Sequence, residues 1–410
     1  VIDNFYHPIG IDSRGRALEA EGRATLMNRS LAMPHSTFSL SSPFDQLREA
    51  AALPVEAAFS VPPSCYTDQT FFEAERREIF AQDWLCVGPA AAIPEPGDYM
   101  AADVQGAALM AVRQKDGGIK VLSRVCRHRG ALVAEAGAGH TGVFTCPYHR
   151  WTYDLDGALR GAPAMEGNQN FHRADCALPT FTSEVWAGFV FVSLGNPAPL
   201  ASSLAPLSGM LGEYGIGDWR HTFELDPLFW DINWKIAFEN ASESYHHIGF
   251  HPQTLDPALP GLGTRTGAGG EAYNFHVVPG AEGFRFPEVA GASLSDEAMS
   301  RFFICAVYPG FVLVMAGANA VWFAIAPLSV GRTSLRIGQL NPAGYFDAPG
   351  LEDRIAGDRA VLEAILEEDK RGCALVQRGL SMPDAVAGPL SPLERPIAEF
   401  VRYLARRLVR

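Results

Sequence analysis

Two short runs each place a thiol beside an imidazole: Cys126-Arg127-His128 and Cys146-Pro147-Tyr148-His149. Thiolate and imidazole are ligands for zinc and for iron–sulfur centres alike. A tetrahedral zinc would take all four groups, although a Cys-x-His run departs from the paired-cysteine spacing of zinc fingers. A binuclear iron–sulfur centre suits the pattern better, with one iron taking both sulfurs and the other both histidines. A second group falls within residues 239–251, which hold Glu239, Glu243, His246, His247 and His251. Two histidines and one carboxylate that leave coordination positions open are the ligand set of Fe(II) oxygen-activating centres. On an undistorted helix His247 and His251 would share a face. The pair His246 and His251 needs the chain to loosen between them, which Gly249 and Pro252 allow.

The carboxylate has to come from far along the chain. Residues 361–377 read as a helix whose apolar face carries Leu362, Ile365, Leu366, Cys373 and Val376, with Asp369 near its middle. Glu367 and Lys370 point away, and Glu368 sits at the edge. A carboxylate on a core-facing stripe is expensive unless something positive compensates it, and a metal does. Asp369 is the expected ligand and Glu368 the second choice. An ion pair with Arg371 is the explanation that needs no metal.

The stretches Val-Cys-Arg-His-Arg-Gly-Ala at 125–131 and Thr-Cys-Pro-Tyr-His-Arg-Trp-Thr-Tyr at 145–153 resemble the Rieske motif of aromatic-ring-hydroxylating oxygenases and related demethylases. They do not resemble the respiratory Rieske protein, which has an extra cysteine in each loop where this chain has Ala131 and Tyr148. Arg150 stands where the family usually has glycine. The resemblance runs over residues 54–410 and matches Glu243-x-x-His246-x4-His251, then Glu368-Asp369 followed by Gln377-Arg378-Gly379. It implies a [2Fe–2S] cluster on Cys126, His128, Cys146 and His149, and an Fe(II) on His246, His251 and Asp369. It implies O2-dependent hydroxylation or oxidative demethylation of a small organic substrate. It also implies homotrimers in which one subunit's cluster serves its neighbour's iron, Glu243 bridging His149 and His246. No flavin or nicotinamide fingerprint is visible, so electrons are expected from a separate flavin reductase or ferredoxin. Gly379-Leu380 and the stretch 388–394 resemble single-subunit members acting on quaternary amines such as choline, betaines and carnitine; small aromatic substrates stay open. Trp230, Phe238, Tyr308 and Trp322 are candidates for a cation–π cage. A Rieske-type electron carrier without oxygenase chemistry is the competing class.

These sites need elements to hold them. Residues 84–199 alternate short apolar runs with Gly and Pro, the texture of a small all-β domain, here the [2Fe–2S] domain. Residues 200–410 read as a larger α+β catalytic domain, an antiparallel sheet flanked by helices of the helix-grip type that the resemblance implies. Residues 54–83 form a helical segment assigned to that same domain, and residues 1–53 a loosely ordered leader in which Met33 is a natural start. From Phe302 to Val330 no residue is charged, long enough to span a bilayer. Tyr308-Pro309-Gly310 and Gly317-Ala318-Asn319 interrupt it, so buried strands joined by turns are expected instead. Ser391-Pro392-Leu393-Glu394 is a capping box opening a last helix striped with Ile397, Phe400, Val401, Leu404 and Leu408.

The bulk numbers set limits. A chain of 410 residues, 48% hydrophobic and 19% charged, belongs to a globular protein. Its formal net charge of −13 argues against nucleic acid, whose binding rests on phosphate neutralisation. Seven cysteines scattered along it do not make a disulfide framework, and five of them are expected as small buried hydrophobes. With no apolar signal segment and no expected membrane span, the chain reads as cytoplasmic.

Overall fold

The computed structural model describes residues 41–409. The short apolar runs of the first half become a seven-stranded antiparallel sheet. Its order is Leu85–Pro89, Phe189–Ser193, Thr180–Trp186, Ile119–Ser123, Ala107–Arg113, Asp98–Val104 and Gly137–His140. Phe144–Thr145, Thr152–Tyr153 and Leu159–Gly161 form a second, three-stranded sheet. Met110, Val112 and Leu122 from the large sheet and Phe144, Trp151 and Tyr153 from the small one share a core that also takes in Cys126 and Cys146. The cysteine loops are thus anchored in packed β-structure.

The second half is built on an eight-stranded antiparallel sheet. The strands run Arg220–Glu224, Arg332–Asn341, Asn319–Ser329, Phe311–Ala316, Arg301–Val307, Tyr273–Pro279 and Arg265–Thr266, and Leu228–Trp230 also pairs with Arg332–Asn341. The uncharged block therefore folds as strands and turns, and no helix among the described residues is long and apolar enough to cross a membrane. It lacks polar alternation because both faces of its strands are covered. Phe302, Ile304, Val314 and Phe323 face one core, shared with the helices Trp234–Ala241 and Leu351–Leu380. Phe303, Cys305, Leu313 and Trp322, one residue out of step, join the other core with Phe189 and Phe191 of the first half. Phe311 meets Phe189 and Phe191 at ring-centroid distances of 4.9 and 5.2 Å, contacts worth about 0.5–1.5 kcal/mol each beyond simple burial.

Helices cover the first of these faces. Lys235 Nζ and Trp234 Nε1 both reach the carboxylate of Glu75, at 2.6 and 3.0 Å, in a fully buried contact. This joins Trp234–Ala241 to the Gln69–Glu75 helix, which continues as a π-turn over Arg76–Phe80. Removing one partner of such a pair costs about 3–5 kcal/mol.

Three expectations change. Residues 1–40 of the expected leader lie outside the described residues, and its last part is ordered: Pro43–Ala52 is a helix capped by the Ser42 side chain, with Leu47 buried in the catalytic core and the Leu53 carbonyl bonded by Arg402. The helix carrying Asp369 runs over Leu351–Leu380, longer than its apolar periodicity, and Val376 is exposed because the stripe drifts away from the core. The Ser391–Glu394 capping box forms, but it closes a 3-10 turn, and the α-helix begins at Arg395. Of the five other cysteines, Cys65, Cys305 and Cys373 are buried, while Cys86 and Cys176 are only partly so.

Candidate metal centres

The two cysteine loops are near-copies. In the first, the Cys126 amide donates to the Ala131 carbonyl at 2.9 Å and the Gly130 amide to the Cys126 carbonyl at 3.1 Å. In the second, Cys146 donates to Trp151 at 2.7 Å and Arg150 to Cys146 at 3.0 Å. Each turn needs a left-handed residue four places after its cysteine: Gly130 at φ +80° and Arg150 at φ +61°. Glycine takes that conformation freely, whereas a residue with a Cβ pays roughly 1–2 kcal/mol for it.

Like ligands face like. His128 Nδ1 lies 3.1 Å from His149 Nδ1. The thiols of Cys126 and Cys146 are both buried, and burial pushes Cys126 up against the opposing pull of the Tyr153 hydroxyl, 3.2 Å from its sulfur. Tyr153 also accepts the Arg127 amide at 3.0 Å, and Trp151 stacks on the His128 ring at 4.8 Å. The four ligand atoms do not crowd round one ion. Among the described residues only His246, His251 and Asp369 bring three such atoms within 4.8 Å of one another. A thiol pair beside an imidazole pair fits a binuclear centre and not a tetrahedral zinc.

The second centre lies where the chain turns after Trp234–Ala241. That helix stops at Ser242, and Glu243 begins an irregular stretch leading into the single turn His247–Phe250. His246 caps this turn and His251 lies just beyond it, outside helical geometry, so the pair need not share a helix face. His251 Nε2 is 2.9 Å and His246 Nε2 3.7 Å from Asp369 Oδ1. The opposite nitrogen of each ring is held by a carboxylate: His246 Nδ1 by Glu243 at 2.6 Å, and His251 Nδ1 by Glu368 at 2.8 Å. Such carboxylate–imidazole contacts fix the tautomer and aim Nε2 at a metal. Thr254 Oγ1 steadies Glu368 at 2.6 Å, and Asn240 donates to Asp369 Oδ1 at 2.9 Å. Burial would raise Asp369 and Glu243, but the imidazoles, with Asn240 on one and the Tyr245 and His246 amides on the other, outweigh it and hold both below the ordinary carboxylate range. This donor set fits a facial two-histidine, one-carboxylate iron.

The other candidates make different contacts. His247 is buried, its Nδ1 against the Leu259 carbonyl at 3.1 Å, and burial lowers it to about 4. Arg371 makes its bond to the Glu367 carbonyl rather than to Asp369. Glu368, the second-choice ligand, orients His251 instead. Gly372 makes the approach of the two segments possible, since a Cβ there would fall 1.9 Å from the Phe250 ring. Asn240, Thr254 and Gly372 carried no signal in the sequence, because their roles exist only once helix and loop meet.

A cavity of about 120 Å3 opens at the triad. Its helical side is Ala237, Asn240, Ala241, Leu362 and Leu366, and its sheet side Phe302, Ile304, Val314, Val321, Phe323 and Leu335. Of the four aromatics expected to form a cage, Trp230 lines it. Trp322 faces the other core with Phe189, and Phe238 and Tyr308 pack with Phe400. Phe323 points where Trp322 was expected, because adjacent strand residues take opposite faces.

Comparison with known proteins now bears on the whole chain. The family model of the Rieske [2Fe-2S] domain matches residues 83–181, and that of the ring hydroxylating alpha subunit catalytic domain matches residues 217–409. The glycine betaine monooxygenase oxygenase subunit of Pseudomonas aeruginosa is 32% identical over 228 residues, 55% of this chain and 53% of that protein. The chain thus spans about half the length of the first curated relatives it matches. The chloroplastic choline monooxygenase of Spinacia oleracea is 26% identical over 389 residues, 92% of this chain and 83% of that protein. The crystal structure of the quaternary ammonium Rieske monooxygenase CntA shares the fold, with a TM-score of 0.76 at 22% identity over 89% of this chain and 98% of that one. With both domains present in this order, the chain belongs to the Rieske non-haem iron oxygenases, whose alpha subunits carry a [2Fe–2S] cluster and a mononuclear non-haem iron.

Proposed function

We propose that this chain is a terminal oxygenase component that oxidises a small quaternary amine with O2, by hydroxylation or oxidative demethylation, using electrons from a flavin reductase or ferredoxin. The observation that carries this reading is the triad of His246, His251 and Asp369 at the head of a largely apolar cavity. A pure electron carrier would have no use for that arrangement. The substrate class follows the relatives named above.

The residues have distinct tasks. Cys126, His128, Cys146 and His149 hold the cluster, and His246, His251 and Asp369 hold the iron. When bound, the iron supplies O2 activation and the cluster supplies electrons one at a time. Glu243 and Glu368 lock the two imidazoles through their Nδ1 atoms, and Asn240 fixes one oxygen of Asp369. The hydrocarbon walls give the reacting centre an apolar surround. Glu243 sits beside His246 and on the cavity wall, which suits a carboxylate bridging to His149 of a neighbouring copy in a homotrimer. Residues 84–199 are assigned to the cluster domain, 54–83 and 200–410 to the catalytic domain, and the protein to the cytoplasm.

The test uses purified protein with both metals counted. The expected result is a visible Rieske spectrum and substrate-dependent O2 uptake when a reductase is supplied. His246→Ala should keep the spectrum and lose product. Full iron content without that spectrum, or undiminished product from His246→Ala, would end this reading.

A further inference from the structure

We propose that the buried guanidinium of Arg124 raises the reduction potential of the cluster, by placing a weakly screened positive charge beside the core that encloses Cys126 and Cys146. This rests on the cluster reading above and adds a residue that tunes it. Four arginines lie in or next to the cysteine loops. Arg127, Arg129 and Arg150 are exposed, so water and salt screen them. Arg124 is 1% exposed. Its amide donates to the Ala108 carbonyl at 2.8 Å and so extends the ladder of the Ile119–Ser123 strand. By alternation its side chain takes the face of Leu122, which packs in one core with Cys126 and Cys146. It stands two residues before Cys126, a span of at most about 7 Å. Its carbonyl accepts the Val133 amide at 2.8 Å, and Nη1 donates to the Ala134 carbonyl at 3.1 Å. Arg124 thus clasps both ends of the first cysteine loop, and Val133 and Ala134 pack against the same core.

The charge is compensated unevenly. Arg124 Nη2 donates to Asp103, whose side chain is 71% exposed against 1% for the arginine. Water weakens the field of the carboxylate far more than that of the guanidinium, which leaves a net positive field on the side of the sulfurs. Arg124 Nε is buried with no hydrogen-bond partner among the described residues. A buried cation with an unmet donor is costly, and packed hydrocarbon in place of such a pair is often neutral or stabilising. Stability therefore does not account for Arg124, whereas a charge demand does. Two ferric ions, two sulfides, two thiolates and two neutral imidazoles carry no net charge. One electron from the reductase or ferredoxin adds one negative charge there, with no bond broken and no proton required. Arg124 attracts that charge and so favours the reduced state.

Spectroelectrochemical titration of the cluster in the purified holoenzyme, at one fixed pH and without O2, tests this. Arg124→Gln keeps a donor for the Ala134 carbonyl and drops the charge. It should make reduction about tenfold less favourable, a fall of about 59 mV for a one-electron couple. Asp103→Asn removes the exposed anion and should make reduction about two- to threefold more favourable. Opposite shifts from the two variants, with an unchanged visible spectrum, are the expected result, since a merely structural role for Arg124 would not reverse sign at Asp103. A reduction equilibrium in Arg124→Gln within about 1.5-fold of the native one, or shifts of the same sign in both variants, would overturn the proposal. Should Arg124→Gln fail to hold its cluster, Asp103→Asn decides alone, and an unchanged or lowered potential there would overturn it. Native protein with full iron content and no Rieske spectrum would sink the cluster reading itself.

Discussion

The two metal-directed regions are built by opposite means. The proposed cluster ligands sit on two loops of nearly identical backbone, His128 and His149 being 21 residues apart. The proposed iron ligands come from a loop and a helix, with His251 and Asp369 separated by 118 residues. In the first region the backbone sets the geometry, and turn chemistry can be read locally. In the second, side chains set it: carboxylates aim the imidazoles, and packing of Phe250 over Gly372 brings loop and helix together. The iron region should therefore be fragile to single side-chain changes that leave the cluster region untouched.

The largest effect is expected from Asp369→Ala. It removes one ligand and leaves two oriented histidines, so iron affinity should fall by more than about a hundredfold. The visible spectrum of the cluster should not change. Metal analysis beside that spectrum checks both halves, and a lost cluster would mean the two regions are not independent. Glu243→Gln should do less and differently. The amide still reaches His246 Nδ1 but no longer as an anion, and changes at such orienting partners cost about 10- to 100-fold in activity or metal affinity. We expect both metals retained and product nearly abolished; turnover at the native rate would refute the bridging role.

Legibility followed the same divide. Cys126, His128, Cys146 and His149 could be chosen from spacing, since each loop closes within six residues or so of its cysteine. Asp369 could be singled out because helical periodicity exposes a charge on an apolar stripe. The contact of Glu368, the second choice of ligand, with His251 was not legible, since it depends on where a distant loop arrives. Trp322, one of the cage candidates, misses the cavity that its neighbour Phe323 lines, because a strand buried on both faces has no polar alternation to show which side is which. The Pro43–Ala52 helix carried a start signal in Ser42-Pro43, and its polar surroundings concealed it.

The iron region also holds a strained protonation state. One turn before Glu243, burial pushes Glu239 up to about 8 against the pull of the Tyr66 hydroxyl, 2.8 Å from both its oxygens, and of Lys235. The native state keeps this proton where the unfolded chain, with an ordinary value near 4.5, releases it. The folded-state value is the raised one, so the contribution to stability is full below the unfolded value and declines as pH rises through about 8. Glu239→Gln mimics the protonated acid and should remove that decline. Denaturation of both proteins should give stabilities within about 1 kcal/mol near pH 5 and a gap on the order of 4 kcal/mol in favour of the variant near pH 8.5. A gap that does not grow with pH would contradict it.

The smallest effect belongs to the cluster region and tests whether backbone rules there. Gly130 and Arg150 occupy the same place in the two loops, both left-handed, and only one of them is a glycine. Arg150→Gly should release the steric cost of a Cβ in that conformation, roughly 1–2 kcal/mol, less the extra chain entropy that glycine brings to the unfolded state. The net expectation is about 1 kcal/mol of stabilisation and a rise in Tm of about 1 °C, with the cluster spectrum unchanged. Arg150 is exposed beside the cluster histidines, so its side chain has little packing to lose. A fall in Tm would show that the guanidinium makes contacts outweighing the backbone cost, and that this loop, like the iron site, is held by a side chain.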